Sequence, residues 1–210
     1  DLEINMESPV IAKLKRSFSN NPSIVTEMAA SYINGFDSMK ILSVLKHFPG
    51  HGSSLGDSHV GFVDVSNTWG EKELIPYIKL ISSGKAKALM SAHIFNKRLD
   101  PKYPATLSYN TLTTLLRGKL QFNGVIFSDD MSMGAISDNY SLKESIILAI
   151  NAGVDIVLYN NNTIYDPKIA KKIIEIILNA VESGDIPRTR INESFKRIMD
   201  LKKVSLQFNQ

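Results

Sequence analysis

Apolar residues along this chain fall into two alternating patterns. Val44–Phe48, Ala88–Ile94, Gly124–Ser128 and Asp155–Tyr159 are short, nearly continuous apolar runs of about five to seven residues. Runs of that length and texture predict parallel strands buried on both faces. Between them apolar residues recur at helical spacing: 22–33 before the first run, 71–82 before the second, 108–116 before the third. Ser141-Leu142-Lys143-Glu144 is a capping box that predicts a helix to about Ala152. Ile169, Ile173, Ile174, Ile177 and Val181 form one apolar face of a further helix, stopped by Ser183-Gly184 and followed by Pro187. Ile191, Phe195, Ile198 and Met199 predict a last helix.

Strand, loop and helix repeated four times predict an α/β fold with a parallel sheet. Polar residues collect where the strands end, at Lys46-His47, Ser91–His93, Ser128–Asp130 and Asn160–Asn162. In (β/α)8 TIM-barrel folds that end of the sheet carries the active site, but such a barrel takes about 250 residues and eight strands. Here about four complete βα units are legible. Four units are half the number that such a barrel needs, and the chain shows no internal repeat or low-complexity segment.

Composition narrows the class. A chain of 210 residues with 43% hydrophobic content suits one globular domain with a core. A mixed charge of 21% with a net +3 argues for neither a nucleic-acid partner nor an anionic membrane surface. Cysteine is absent, which removes disulfides and thiolate metal sites and fits a reducing compartment. No apolar run approaches the ~20 residues that span a bilayer, and no signal peptide is recognised. A cytoplasmic location is the expectation. The first residue is Asp1 rather than Met, so a processed or trimmed chain stays open.

Three of the four histidines stand within Lys46-His47-Phe48-Pro49-Gly50-His51-Gly52 and Asp57-Ser58-His59. An aspartate two residues before a histidine can hydrogen-bond its ring and fix one tautomer, which makes a general acid/base. An isolated D-x-H is more often a solvated loop histidine beside a turn aspartate. Gly50, Gly52 and Gly56 shift that balance, because they suggest a loop with mobility or unusual backbone angles that carries His59 over a substrate as a lid. The histidines share no helical face and no H-E-x-x-H occurs, so no metal is expected.

Phe127-Ser128-Asp129-Asp130-Met131-Ser132-Met133 ends an apolar run with two acids. A carboxylate at the end of a buried strand can act as a nucleophile on an electrophilic carbon, a role given to Asp129. Asp130 is read as a helix N-terminal acid interacting with the helix dipole. Lys46 sits near the end of an apolar strand, where a charge is costly unless it is used; a lysine extending out of the strand end is the alternative. His93 carries the same ambiguity. Trp69 shows no signal beyond packing.

Taken together, the Lys46–Gly52, Asp57–His59 and Phe127–Met133 motifs resemble the bacterial β-N-acetylhexosaminidases of glycoside hydrolase family 3. Pro9-Val10-Ile11, Arg16-Ser17-Phe18, Met90–His93 with Pro104–Ser108, and Gly184-Asp185-Ile186-Pro187 through Leu201 extend the resemblance over nearly the whole chain. The resemblance implies a retaining exo-glycosidase that releases terminal β-linked N-acetylglucosamine from peptidoglycan-derived or related glycans. It implies Asp129 as the nucleophile that forms a glycosyl-enzyme intermediate. His59, oriented by Asp57, stands as acid/base in place of the second carboxylate of the usual pair. Arg16, Lys46 and His47 match sugar-binding positions, with His93 as a further substrate-binding candidate. No cofactor is implied.

In the family the barrel begins well upstream, so the resemblance implies that 1–210 is the C-terminal half of the catalytic barrel with no second domain, and that the first three strands and most of the fourth have no counterpart here. An upstream acid that grips sugar hydroxyls is also absent. A fragment of a larger protein, a partner chain or dimer that completes the barrel, and a degenerate product all stay open. So do two other functions: an N-acetylglucosaminide phosphorylase, and a non-catalytic half-barrel that needs a partner chain.

Overall fold

The structure, a computed structural model, describes residues 1–161 and 165–206. Its strands are β1 (Val44–Phe48), β2 (Val63–Asp64), β3 (Ala88–Ser91), β4 (Ile94–Phe95), β5 (Val125–Asp130) and β6 (Ile156–Leu158). Four of them form one parallel sheet in the order β1-β3-β5-β6, the expected succession. Leu45 pairs with Leu89, Leu89 with Ile126, and Phe127 with Ile156. The helices are α1 (Pro22–Ser38), α2 (Ile75–Ser82), α3 (Gly134–Ser137), α4 (Leu142–Ala152), α5 (Ile169–Ser183) and α6 (Arg188–Leu206). A 3₁₀ turn over Glu71–Leu74 leads into α2, and Asn110–Lys119 winds as a π-helix between β3 and β5.

Local chemistry accounts for the boundaries. The Asn21 side chain accepts from the Ser23 N–H and Pro22 opens α1, where its missing N–H costs nothing. Ser141 Oγ accepts from the Glu144 N–H at 3.2 Å, as the capping box predicts. Gly184 ends α5 at φ +84°, in left-handed backbone that a β-carbon disfavours.

The core has two parts. Phe48, Leu89 and Ile126 of the sheet pack with Leu112, Leu116 and Phe122, all at most 1% exposed. Fully burying each such side chain contributes roughly 1.5–3 kcal/mol. Ile146 and Ile150 of α4 meet Ala180 of α5 and Ile186, with Ile173, Ile177 and Val181 around them. Below the sheet, at the start of β6, the fully buried Asp155 carboxylate binds Arg117 at 2.7 Å, Arg190 at 3.1 Å, Arg197 at 3.3 Å and Ser194 Oγ at 2.7 Å.

Several expectations are corrected. The run Ala88–Ile94 is not one strand. The chain leaves the sheet after Ser91, and Ile94–Phe95 pairs instead with Val63–Asp64 in a separate two-stranded ribbon. An unbroken apolar run carries no mark of this bend, which His93 fixes through long-range hydrogen bonds. The third strand extends two residues beyond Ser128, so Asp129 and Asp130 are its last residues. The segment expected to be helical over 108–116 takes π spacing, which Leu112 and Leu116 do not reveal. Of the expected polar cluster Asn160–Asn162, Asn162 lies outside the described residues.

Among the described residues β1 pairs only with β3, and β6 only with β5. Val44 on β1 is exposed, as are Met28, Tyr32 and Phe36 along one face of α1. Four strand–helix units with two open edges make a partial barrel of the (β/α)8 type. No helix among the described residues is long and apolar enough to cross a membrane.

Candidate active site

The polar side chains gather at the C-terminal ends of β1, β3, β5 and β6. At the end of β1 the Lys46–His47 and Phe48–Pro49 peptide bonds are both cis. His47 is buried. Its Nδ1 lies 2.6 Å from Asp1 Oδ2, and its Nε2 lies 3.5 Å from Arg16 Nη2 and 3.9 Å from Asp129 Oδ2. Arg16 is steadied by the Val10 carbonyl at 3.1 Å. Burial lowers the His47 pKa, the Asp129 carboxylate opposes that shift, and Lys46 and Arg16 reinforce it. The net direction is toward a neutral ring.

Asp129 is 19% exposed at its side chain, enough to be reached from solvent. Its Oδ1 accepts from the Asp130 N–H at 2.8 Å, which leaves Oδ2 turned toward His47. Asp130 does something other than answer a helix dipole. The helix that follows, α3, has only four residues. The Asp130 carboxylate instead accepts from Ser132 N–H at 3.0 Å, Ser132 Oγ at 2.7 Å and Asn160 N–H at 3.0 Å. It closes a turn and ties the end of β5 to the end of β6.

Much of the glycine-rich loop is packed into the body. His51, Gly52, Ser53 and Ser54 are buried. Gly50 has φ +120°, and a β-carbon there would lie 2.6 Å from Glu73 Cβ. Glu73 Oε2 accepts from the Gly52 N–H at 3.0 Å, and burial pushes the Glu73 pKa up. His51 Nε2 sits 3.3 Å from Ser58 Oγ, and burial lowers the His51 pKa to about 4. Trp69 does more than pack: its indole N–H donates to the Pro49 carbonyl at 3.1 Å.

Only the stretch around His59 stands out from the body. Asp57 Oδ1 faces His59 Nδ1 at 2.7 Å and accepts from the His59 N–H at 2.9 Å. Partial burial raises the Asp57 pKa, but these two hydrogen bonds more than offset it and hold the carboxyl below its usual range. The Ser58 and His59 carbonyls accept from the Ala135 and Gly134 N–H groups, each at 3.2 Å. The loop that carries His59 is thereby docked on the segment that follows Asp129.

His59 and Asp129 line one cleft of about 930 Å³, with Asp130, Tyr140, Tyr159 and Asn160. Arg16, Lys46, His47 and His93 lie outside that lining. Asp129 therefore joins two groups, the cleft with His59 on one side and the His47–Arg16 pair on the other.

Two candidates fit less directly. Lys46 is exposed, so a buried charge no longer argues for its use. His93 is 1% exposed, with Nδ1 2.9 Å from Thr106 Oγ1 and Nε2 3.0 Å from the Asp130 carbonyl. Both ring nitrogens are engaged within the protein, which favours a structural strut over a sugar ligand. Sequence reasoning missed Asp1 and Glu73. Asp1 has no neighbouring motif, and Glu73 looks like an ordinary acid at a helix start. No group of three or more His, Cys, Asp or Glu residues among those described is placed to hold a metal.

A partial parallel barrel with its acids and histidines at the strand C-termini defines a barrel-type enzyme scaffold. Residues 2–201 match the glycosyl hydrolase family 3 N terminal domain, and the chain belongs to that family. It is 33% identical over 220 residues to beta-hexosaminidase A of Pseudoalteromonas piscicida, an alignment covering 96% of this chain and 36% of that protein. It is 40% identical over 164 residues to a beta-hexosaminidase of Tolumonas auensis, covering 77% of this chain and 48% of that one. The glycoside hydrolase family 3 beta-N-acetylglucosaminidase of Paenibacillus sp. superposes with a TM-score of 0.90 at 34% identity, over 98% of this chain and 39% of that chain. The chain thus spans well under two thirds of the length of these relatives.

Proposed function

We propose that this site performs retaining exo-hydrolysis of terminal β-linked N-acetylglucosamine through a covalent glycosyl–Asp129 intermediate. The observation that carries the reading is the placement of His59, paired with Asp57, and Asp129 on one open cleft. Asp129 Oδ2 attacks the anomeric carbon while His59, as imidazolium, gives its proton to the departing glycosidic oxygen. The neutral His59 then takes a proton from water, which attacks the anomeric carbon and frees Asp129. Asp57 holds Nδ1 and stabilises the imidazolium, as the orienting acid does in other triads. The hexosaminidase names of the relatives support the sugar class, and peptidoglycan-derived glycans are the source we infer.

Hydrolysis of a chromogenic aryl N-acetyl-β-glucosaminide tests it. Turnover is expected to be lost in Asp129→Asn and restored in Asp129→Gly by azide as an external nucleophile. Ordinary turnover by Asp129→Asn would sink the reading.

A second reading draws on the open edges of β1 and β6 and the exposed apolar face of α1. Such edges invite pairing, so on this reading the chain works only when another barrel segment or a partner chain covers them. Full activity in a monomeric 210-residue chain, measured by light scattering beside the assay, would exclude it.

A further inference from the structure

We propose that Asp1 is a positioning residue that locks His47 in its Nδ1–H tautomer, so that Nε2 accepts a hydrogen bond from a substrate hydroxyl beside Asp129. The functional half of this statement rests on the reading of Asp129 as nucleophile; the tautomer does not.

The Asp1 carboxylate is 3% exposed and its two oxygens divide their work. Oδ1 accepts from two backbone N–H groups, His47 at 3.0 Å and His51 at 2.9 Å. Among the described residues Oδ2 faces the ring, 2.6 Å from His47 Nδ1. An ionised carboxylate accepts and cannot donate, so Nδ1 must carry the proton. The far end of the ring gives the same answer independently. Arg16 Nη2, 3.5 Å from Nε2, is a donor under all conditions, so Nε2 meets it as an acceptor. Burial, which keeps the imidazole neutral, is consistent with a single ring proton.

A sugar hydroxyl that inserts between Nε2 and Arg16, in place of their direct 3.5 Å contact, then finds a complete pairing: its O–H donates to Nε2 and its oxygen accepts from Arg16. The opposite tautomer would turn an N–H toward Asp129 Oδ2, 3.9 Å away, and bind the nucleophile instead of the sugar. A carboxylate behind a histidine commonly acts in this way, by fixing the tautomer of the ring in front of it.

Asp1→Asn separates this role from a structural one. The Asn carbonyl can keep both backbone N–H bonds, but its amide then points an N–H at Nδ1 and forces the proton to Nε2. The same logic applies to a triad aspartate replaced by asparagine, which costs about 10⁴-fold there. The measurement is a long-range ¹H–¹⁵N spectrum of the histidine side chains at neutral pH, assigned with His47→Gln and titrated with N-acetylglucosamine. The wild type is expected to show protonated Nδ1, with the sugar perturbing Nε2. Asp1→Asn is expected to show protonated Nε2 and affinity reduced at least ~10-fold, with the far-ultraviolet spectrum unchanged.

Protonated Nε2 in the wild type overturns the lock, and the wild-type spectrum decides this even if the variant fails to fold. An inverted tautomer with unchanged affinity, or no sugar effect at Nε2 in the wild type, overturns the role in binding. Turnover by Asp129→Asn would instead defeat the proposed reaction and leave the tautomer result standing.

Discussion

A single oxygen of Asp57 holds His59 at two points: Oδ1 accepts from the His59 backbone N–H at 2.9 Å and faces its ring Nδ1 at 2.7 Å. The side chain therefore sets both the path of the chain at residue 59 and the orientation of the ring. It does so on an exposed loop, where no packing would otherwise fix an imidazole.

Because one oxygen does both tasks, Asp57→Asn keeps an acceptor and loses only the charge, whereas Asp57→Ala loses both. Turnover is expected to fall modestly in Asp57→Asn and by about 10²–10⁴-fold in Asp57→Ala, the range of a general acid/base contribution. Steady-state kinetics on an aryl N-acetyl-β-glucosaminide would show the order. Equal rates in all three proteins would remove Asp57–His59 from the mechanism.

Asp155 anchors three guanidinium groups with a carboxylate that has no exposed surface. Asp155→Ala strips Arg117 and Arg190 of this carboxylate, leaves Arg197 only its 3.5 Å contact to Glu193, and frees the Ile126 N–H, which donates to Asp155 at 3.0 Å. A loss of about 3–5 kcal/mol is expected, read as a lower midpoint in urea unfolding. A midpoint within error of the wild type would show the cluster to be energetically idle.

Gly52 passes so close to the chain start that a β-carbon would lie 1.5 Å from the Leu2 carbonyl oxygen. Gly52→Ala must displace backbone rather than a flexible side chain, and about 1–3 kcal/mol of destabilisation is expected. Gly61→Ala, whose β-carbon would meet nothing within 4 Å, is the control. Similar stability in the two variants would contradict the packed form of the loop.

Stability should fall as pH drops from 6.5 toward 4. Burial holds His51 at about 4 and lowers His93 as well, while the unfolded chain protonates near 6.5. In that window the unfolded state binds more protons, so acidification favours it, by up to roughly 1.4 kcal/mol per pH unit for each such ring. The stability is fully present above pH 6.5 and is lost as pH approaches the folded values. Urea titrations at pH 7, 6 and 5 check the slope, and His51→Gln should flatten it. A flat wild-type profile would mean these rings are not buried neutral.

The alternation of apolar runs and helical spacing was enough to reveal four strands, their order and most helices, because parallel strands buried on both faces leave continuous apolar segments. Val44–Phe48 was placed to the residue, and the Ser141 capping box located α4. The break after Ser91 was not legible, since it depends on His93 reaching Thr106 and the Asp130 carbonyl. Residue type and local spacing made Asp129, Asp57 and His59 visible as candidates.

What the sequence determined by itself was therefore the class of fold and the residues able to do chemistry, both of which follow from short-range pattern. Only the tertiary structure decided how they are used. It set Asp1 against His47 across 46 positions of sequence, tied Asp130 to the Asn160 N–H 30 positions on, and enclosed both ring nitrogens of His93. Hydrogen bonds between residues far apart in sequence assign those roles, and no local pattern encodes which distant partner a buried polar group will meet.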